Sequence, residues 1–352
     1  MEPINLFDYE KLAQERLDPA LWDYFQAGSE DEITLRANRT AFERIRLRPR
    51  VLVDVSSIDM RTTVLGMQLG MPVMIAPMRC HCPAHPDGEC ASAQAAEEAG
   101  SLLIVGSFAS QTIEEIAEAT QGPLWFQLYT YRNLEVSEKV VRRAEAAGYR
   151  AIVLTVDVVR RGHREKDIRN QFNLLNYSSL VNYSAEDVAA TPTRLQHLVD
   201  TWETVDWLRS ITKLPIVLKG LLTAEDALLA VEHGVEGIVV SNHGGRQLDG
   251  AITGIEALPE IVEAVDGRSE IYLDGGIRRG TDILKALALG ARAVLVGRPI
   301  LWGLTVNGRE GVRHVLEMLH SELETAMILS GRPTLASIDR SLVKLPLDWT
   351  SI

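Results

Sequence analysis

The segment from Ser241 to Asp249, SNHGGRQLD, places a histidine and an arginine three residues apart. The imidazole of His243 titrates near neutral pH and can accept a proton, and the guanidinium of Arg246 can hold a carboxylate through two parallel hydrogen bonds. Gly244 and Gly245 allow the backbone to turn sharply between them. The segment therefore predicts a base beside an anion-binding group, although a solvated loop with an incidental histidine has the same local composition.

The elements that must position these groups are short apolar runs that alternate with amphipathic stretches from residue 70 onward. Runs without polar alternation are typical of strands buried on both faces. The eight predicted strands are Val73 to Ala76, Leu102 to Val105, Leu124 to Leu128, Ala151 to Val156, Pro215 to Leu218, Gly237 to Ser241, Glu270 to Leu273 and Ala293 to Val296. The helices predicted between and after them are Gly88 to Ala99, Thr112 to Ala119, Glu135 to Ala147, Val205 to Ile211, Thr223 to His233, Ile255 to Val265, Arg279 to Leu289 and Gly311 to Leu329.

This alternation predicts an α/β fold, specifically a single-domain (β/α)8 barrel over residues 1–352. No GxGxxG motif follows a first strand, which disfavours a dinucleotide-binding sheet. Residues 1–70 are predicted to form an N-terminal helical cap, with helices over Leu6 to Leu17, Pro19 to Ala27 and Glu30 to Phe42. The barrel is expected over 71–330 and a C-terminal tail over 331–352. The long connection after the fourth strand, 157–214, is predicted to contain a lid.

Composition restricts the class of protein and its partners. The 352 residues are 46% apolar and 24% charged, with a net charge of −12, so an ordinary globular domain is expected and a nucleic-acid partner is not. The sequence contains no apolar stretch long enough to predict a membrane segment. It also shows no recognisable signal peptide and no C-terminal peroxisomal address. A cytoplasmic protein is therefore predicted. Cys80, Cys82 and Cys90 are expected to be reduced thiols. The Cys80–Cys82 spacing is tighter than that of a zinc site, so no metal is predicted.

In a barrel, catalytic groups stand at the carboxyl ends of the strands. The predicted ends supply Gln127, Tyr129, Thr155, Asp157, Lys219, His243, Arg246, Asp274, Gly276, Arg278, Gly297 and Arg298. The loops after the last two strands combine glycines with arginines. Such loops suit a phosphate group, because glycine lets backbone N–H groups approach the oxygens and arginine donates charge-assisted hydrogen bonds.

The ordered motifs along nearly the whole chain resemble those of the FMN-dependent 2-hydroxy-acid oxidase and dehydrogenase family, of the glycolate oxidase and L-lactate oxidase type. They are Asp23-Tyr-Phe-Gln-Ala-Gly-Ser-Glu-Asp, Ile75-Ala-Pro77, Gln127-Leu-Tyr129, Thr155-Val-Asp157, Arg164, Leu218-Lys-Gly220, SNHGGRQLD, LDGGIRRG and VGRP. The resemblance implies bound FMN, a small 2-hydroxy acid and O2 as reactants, hydrogen peroxide as a product, and a homotetramer.

The resemblance also implies roles for individual residues. His243 corresponds to the catalytic base, Asp157 to its carboxylate partner, and Arg164 and Arg246 to the pair that holds the substrate carboxylate. Tyr24 and Tyr129 correspond to phenols that contact the substrate, with Tyr129 placed to stabilise charge developing on its oxygen. The residues implied in FMN binding are Ala76, Pro77, Gln127, Thr155, Lys219, Ser241, Asp274, Gly276, Arg278, Gly297 and Arg298.

The first βα loop departs from the family pattern. Met78 and Arg79 stand where glycolate oxidases have a small or hydroxyl residue followed by alanine or glycine, Gly106 replaces a frequent serine, and Phe108 is expected to form an aromatic wall. Met78 predicts a narrower, more apolar substrate site and favours L-lactate over glycolate. Arg79 either binds a second anionic group or points away. The open alternatives are glycolate, a longer or aromatic 2-hydroxy acid, a dehydrogenase with a quinone or other acceptor, and a binding protein without turnover.

Overall fold

Eight parallel strands close into a barrel in the computed structural model, which describes residues 2–131, 133–173, 180–184, 186–187 and 200–349. The strands of the described chain are β1 (Arg46–Leu47), β2 (Thr62–Val64), β3 (Met67–Leu69), β4 (Val73–Ile75), β5 (Leu103–Gly106), β6 (Leu124–Leu128), β7 (Ile152–Thr155), β8 (Ile216–Leu221), β9 (Gly237–Val240), β10 (Glu270–Asp274), β11 (Ala293–Val296) and β12 (Val343–Lys344). The barrel runs in chain order from β4 to β11, and β11 pairs with β4 to close it. The predicted (β/α)8 barrel is therefore confirmed.

The helices that cover the barrel follow its strands in the expected alternation. They are α1 (Leu6–Arg16), α2 (Pro19–Gln26), α3 (Ile33–Arg44), α4 (His81–Ala84), α5 (Gly88–Glu98), α6 (Ile113–Glu118), α7 (Leu134–Ala146), α8 (Glu165–Arg169), α9 (Trp202–Ile211), α10 (Ala224–Glu232), α11 (Gly254–Val265), α12 (Gly280–Ala288) and α13 (Arg298–Ser330). Thr223 caps α10 through its side chain, and Gly148, Gly234 and Gly290 take positive φ after helix ends. Threonine is a favoured residue at helix N-caps, and glycine is favoured in the left-handed conformation after a helix end.

Two layers of apolar side chains form the core. Alternate strand residues point into the barrel, where Met74, Ile104, Trp125, Val153, Val217, Val239, Tyr272 and Leu295 pack together. The intervening residues, such as Ile75 and Leu103, pack outward against the helices. Because both faces are covered, the strands need no polar alternation, which is why they read as continuous apolar runs.

The N-terminal part of the chain covers both ends of the barrel. Helices α1 to α3 lie near the carboxyl ends of the strands, where the Ser29 N–H donates to the Gly245 carbonyl at 2.9 Å. Strands β2 and β3 form a hairpin at the opposite end, where the Leu65 N–H donates to the Glu270 carboxylate at 3.2 Å. Leu65 and Gly66 both take positive φ, as a tight hairpin turn requires. The hairpin was not part of the sequence interpretation, which treated residues 1–70 as mostly helical.

The last helix begins earlier than the sequence predicted. Helix α13 starts at Arg298, directly after the last barrel strand, rather than at Gly311, and Pro299 lies in its first turn. Asn307 and Gly308 interrupt it with φ of −150° and +55°. The apolar period is broken at this kink, so only the second half of the helix was recognisable from its pattern. The early start places the helix N-terminus beside the strand ends.

The connection after β7 contains α8 and α9 in its described part. Residues 174–179, 185 and 188–199, on which much of the predicted lid falls, lie outside the described residues. Among the described helices, none combines the length and the hydrophobicity that crossing a bilayer requires.

Gly280 marks a close helix contact that a stability measurement can test. A Cβ at this position would lie 2.2 Å from the backbone of Glu322 and Leu323, where α12 meets α13. We expect Gly280→Ala to lower the free energy of unfolding by about 1–3 kcal/mol, because the helices must separate to admit the methyl group. Gly70→Ala is the matched control, since its nearest neighbour would be 3.5 Å away, and it should change stability by less than about 0.5 kcal/mol. Equal denaturation midpoints for the two variants would contradict the contact.

Candidate active site

A cavity of about 290 Å³ opens at the carboxyl ends of the barrel strands. All the residues predicted for the site line it, except Asp157 and Ser241, which lie behind His243 and Lys219. Its walls come from the first βα loop, from the ends of the later strands and from the last turn of α2. The barrel therefore brings the separate sequence motifs to one place.

His243 and Asp157 form the central pair of the cavity. The Nδ1 atom of His243 lies 2.9 Å from Oδ1 of Asp157. Burial lowers the pKa of His243, and although Asp157 acts to raise it, the pKa stays below its ordinary value of 6.5. Burial would raise the pKa of Asp157, but His243 and Lys219 more than offset this and hold it below its ordinary value. An ionised carboxylate only accepts hydrogen bonds, so Nδ1 carries the proton and Nε2 is left as the base.

The turn after β9 orients the imidazole. His243, Gly244 and Gly245 have successive φ values of +59°, +66° and +74°. Left-handed backbone is costly for histidine and persists only where surrounding contacts hold it. Here the His243 N–H donates to the Ser241 hydroxyl at 3.0 Å. A Cβ at Gly245 would lie 2.6 Å from the Leu35 backbone nitrogen, so a glycine is required there.

Gln247 is a positioning residue that the sequence interpretation did not identify. Its amide nitrogen donates to the carbonyl of Asp157 at 2.7 Å and to that of Arg160 at 2.9 Å. Its oxygen accepts from the Gly162 N–H at 3.2 Å. The side chain therefore joins the loop after β9 to the loop after β7. Its place in the same nonapeptide as His243 was the available signal.

Arg164 and Arg246 lie side by side in the cavity wall. The Nε atom of Arg164 donates to the carbonyl of Arg246 at 3.2 Å, while Arg246 donates to the carbonyls of Tyr24 and Ala27, both at 2.8 Å. Burial, with the neighbouring Arg246, lowers the pKa of Arg164 to about 9. The mutual repulsion of the two cations would be relieved by a carboxylate between them.

The two predicted phenols also line the cavity. Tyr24 stacks on Phe172 with ring centroids 4.4 Å apart, and the guanidinium of Arg246 lies 5.1 Å from the Tyr24 ring centre. Burial raises the pKa of Tyr129, so its hydroxyl stays protonated at neutral pH and can donate a hydrogen bond. Arg79 has the strongest opposing effect on this pKa. Both phenols therefore face the same cationic part of the cavity.

Lys219 supplies a buried cation on the barrel side of the cavity. Its Nζ atom lies 2.9 Å from Oδ2 of Asp274 and donates to the Ser241 hydroxyl at 2.8 Å. Burial alone would lower the pKa of Lys219, but Asp274 and Asp157 raise it above its ordinary value. The ammonium group therefore stays charged at neutral pH.

The loops after the last two strands form a second cationic region. Burial lowers the pKa of Arg278 to about 10 and also that of Arg298, which neighbouring arginines lower further. Arg298 donates to the carbonyls of Phe25 and Gly244, at 2.9 Å and 3.0 Å. Gly276 has φ of +82°, and a Cβ there would lie 1.9 Å from the Asn38 carbonyl oxygen. The N-terminus of α13 adds a favourable dipole for an anion.

The unusual first βα loop contributes Met78 and Arg79 to the wall. A Cβ at Gly106 would lie 3.0 Å from the carbonyl oxygen of Met78, so a serine there would require the loop to shift by a few tenths of an ångström. The sulfur of Met78 would be 3.3 Å from a Cβ at Gly297, which places it beside the last barrel strand. Arg79 points into the cavity, with its guanidinium carbon 4.1 Å from the centre of the Phe108 ring.

Comparisons with known proteins agree with this geometry. Residues 13–345 match the family of FMN-dependent dehydrogenases. The chain is 50% identical to an L-lactate oxidase from Nostoc sp., over 97% of this chain and 98% of the relative. It is 47% identical to the glycolate oxidase of Spinacia oleracea, over 99% and 97%. A crystal structure of mandelate oxidase superposes with a TM-score of 0.92 at 46% identity, covering 98% of this chain and 99% of that one. The chain belongs to the FMN-dependent dehydrogenase family, among its 2-hydroxy-acid oxidases.

The polar groups of the protein that line the cavity fit FMN. The buried amide nitrogen of Gln127 and Oδ1 of Asp274 have no hydrogen-bond partner among the described residues, as expected where a polar ligand completes them. Within the described residues, Arg278 and Arg298 form no ion pair. Both guanidinium groups could therefore bind a phosphate dianion. We expect Gln127, Thr155 and Lys219 to face the flavin ring system and the two arginines to face the phosphate.

Arg278 provides a direct test of the phosphate end. We expect Arg278→Gln to raise the dissociation constant of FMN by about 10- to 100-fold, because a charge-assisted hydrogen bond to the phosphate is lost. Arg279→Gln is the control, since Arg279 pairs with Glu322 at 2.7 Å outside the cavity. Fluorescence titration of FMN into each apoprotein measures the difference. Similar affinities for the two variants would place the phosphate elsewhere.

Proposed function

We propose that this protein oxidises a short (S)-2-hydroxy acid, most specifically L-lactate, to the 2-oxo acid and passes the two electrons through FMN to O2, which becomes H2O2. The observation that carries the proposal is the His243–Asp157 pair at 2.9 Å, facing two arginines without carboxylate partners in the described chain. A base and a carboxylate clamp are the two groups that such a substrate requires. The reaction balances, because the substrate loses two protons and two electrons and O2 gains them.

The residues act on the substrate in a defined arrangement. Arg164 and Arg246 hold the carboxylate, which directs the 2-hydroxyl group toward Nε2 of His243. His243 takes the hydroxyl proton, and Asp157 stabilises the imidazolium that forms. Tyr129 donates a hydrogen bond to the substrate oxygen as its negative charge grows. FMN, when bound, would supply the two-electron acceptor, and the charge of Lys219 would stabilise negative charge on its ring system.

The choice of L-lactate is supported by the 50% identical L-lactate oxidase and by the apolar surfaces of Met78 and Phe108 in the cavity. A methyl group in an apolar site is worth only about 1–3 kcal/mol, so glycolate and longer or aromatic acids are competing substrates. A dehydrogenase with a quinone or other acceptor remains the alternative for the second half of the reaction. A binding protein without turnover is disfavoured by the assembled His243–Asp157 pair.

We also propose a cytoplasmic homotetramer formed by a single-domain chain, as the family resemblance and the sequence signals predict. The connection from 157 to 214 would act as a lid in this proposal. Arg164 lies at the start of α8 in this connection and is fixed by contacts with Arg246 and Gln247. Closure of the connection would then exclude water from the carboxylate clamp.

Anaerobic mixing tests the proposed reaction and the role of His243 together. L-lactate should bleach the flavin absorbance of the wild-type holoenzyme, and admitted O2 should restore it with one H2O2 per pyruvate. His243→Ala should keep FMN bound but slow the reduction by at least about 100-fold, because the base is lost. His233→Ala is the control, since His233 pairs with Asp206 outside the cavity. Reduction of the His243 variant at the wild-type rate would overturn the role of His243, and slow reoxidation by O2 would favour the dehydrogenase.

The pH dependence follows from the lowered pKa of His243. The imidazole must be neutral to accept a proton, so kcat/KM should stay constant from pH 7 downward and fall only where the pH reaches the pKa of His243, below 6.5. Asp157→Asn removes the charge that raises this pKa, so the acidic limb should move to lower pH while kcat falls. Steady-state profiles of both proteins measure the shift, with Asp206→Asn as the control. A limb that moves to higher pH in Asp157→Asn would contradict the pairing.

A further inference from the structure

Arg79 is a cation in the substrate part of the cavity that the proposed reaction does not use. Its guanidinium stacks on Phe108 at 4.1 Å, and Phe108 in turn packs against Tyr129, with ring centroids 5.7 Å apart. In the described part of the chain, this guanidinium has no ion pair and no hydrogen bond to a carboxylate or carbonyl oxygen. Tyr24 and Tyr129 have the largest electrostatic effects on it among the charged and titratable groups. The cation therefore lies in the same cavity as the two phenols predicted to contact the substrate.

The loop that carries Arg79 is held in place by its own contacts. Cys80 follows with φ of +70°, which turns the chain into α4 directly after Arg79. The Cys82 N–H donates to the hydroxyl of Ser110 at 3.0 Å, and the Ser110 N–H donates to the buried carboxylate of Glu89 at 2.8 Å. The loop lies close to β5 at Gly106, where a Cβ would be 3.0 Å from the carbonyl oxygen of Met78. These contacts hold the loop and so fix the position of the Arg79 guanidinium in the cavity wall.

The charges around the cavity leave Arg79 as a surplus cation. Lys219 pairs with Asp274, and Arg161 pairs with Asp167. A phosphate dianion would be met by Arg278 and Arg298, and a substrate carboxylate by Arg164 and Arg246. A cation held in a half-buried site without an anionic partner costs free energy that a ligand anion would recover. Arg79 is therefore a cavity cation that neither FMN nor L-lactate would pair.

We propose that Arg79 binds a second carboxylate at the far end of the substrate side chain, so that the preferred substrates are (S)-2-hydroxy acids with a terminal carboxylate. This inference rests on the proposed oxidation of 2-hydroxy acids, and it replaces L-lactate as the preferred substrate with acids that carry a second carboxylate. The second carboxylate extends from the carbon that is the methyl group in L-lactate. Stacking on Phe108 keeps the guanidinium plane fixed, which leaves its N–H edge free for a planar carboxylate.

Binding of product analogues tests the inference without turnover. The oxidised holoenzyme is titrated with 2-oxoglutarate and with 2-oxopentanoate, two acids of equal chain length that differ in the terminal carboxylate, and the flavin absorbance reports binding. We expect 2-oxoglutarate to bind about 10- to 100-fold more tightly, as one charge-assisted hydrogen-bonded pair allows. Arg79→Gln should remove this preference, and Arg79→Lys should restore part of it. Equal binding of the two acids by the wild-type protein, or an undiminished preference in Arg79→Gln, would overturn the inference.

Turnover gives the second readout. Two pairs of substrates differ at the terminal carboxylate: (S)-malate with its 4-amide, and (S)-2-hydroxyglutarate with (S)-2-hydroxypentanoate. In at least one pair, kcat/KM for the dicarboxylate should exceed kcat/KM for the other acid by more than about 10-fold. In Arg79→Gln this ratio should fall toward 1. An arginine that only supports Phe108 would instead change both members of each pair equally. If no 2-hydroxy acid reduces the flavin, the proposed function fails while the 2-oxo acid titration still decides the role of Arg79. If Arg79→Gln does not retain FMN, the wild-type pairs and Arg79→Lys decide it.

Discussion

The positive charge gathered around one cavity is the constraint on which the rest of this structure depends. Burial lowers the pKa values of Arg164, Arg246, Arg278 and Arg298, and neighbouring arginines lower them further. In the described chain they are met by backbone carbonyl dipoles rather than by carboxylates. This arrangement is unfavourable for the protein alone and favourable once anions bind. The protein without ligands is therefore less stable around this cavity, which is suited to bind a phosphate and a carboxylate.

The N-terminal segment is the part of the fold that makes this arrangement possible. The carbonyls at the end of α2, from Tyr24 to Ala27, accept hydrogen bonds from Arg246 and Arg298. Gly245 lies so close to Leu35 that a side chain at Gly245 would collide with the Leu35 backbone. Asp249 accepts hydrogen bonds from the first N–H groups of α3, at 3.1 Å and 2.8 Å. The nonapeptide that contains His243 thus also holds the N-terminal helices α2 and α3 against the cavity.

Much of the fold and the site could be predicted from the sequence because the signals are local. Strands buried on both faces produce apolar runs, and the barrel rule places their carboxyl-end residues together, so His243, Asp157, Lys219 and Arg278 could be assigned to one site. The hairpin at Thr62–Leu69 is too short to show a period of its own. The early start of α13 was hidden because Pro299 and Gly308 read as loop residues. The role of Gln247 in joining two loops could not be predicted, because those loops are distant in the chain.

The sequence by itself determined the alternation of strands and helices, the chemistry of SNHGGRQLD and the family, because these follow from residue types and their spacing. Only the tertiary structure decided where Arg79 points, since a side chain on an irregular loop has no periodicity to orient it. The left-handed turn at Cys80, the close approach allowed by Gly106 and the ring of Phe108 together direct the guanidinium into the cavity. Those contacts join three segments that become neighbours only when the barrel closes.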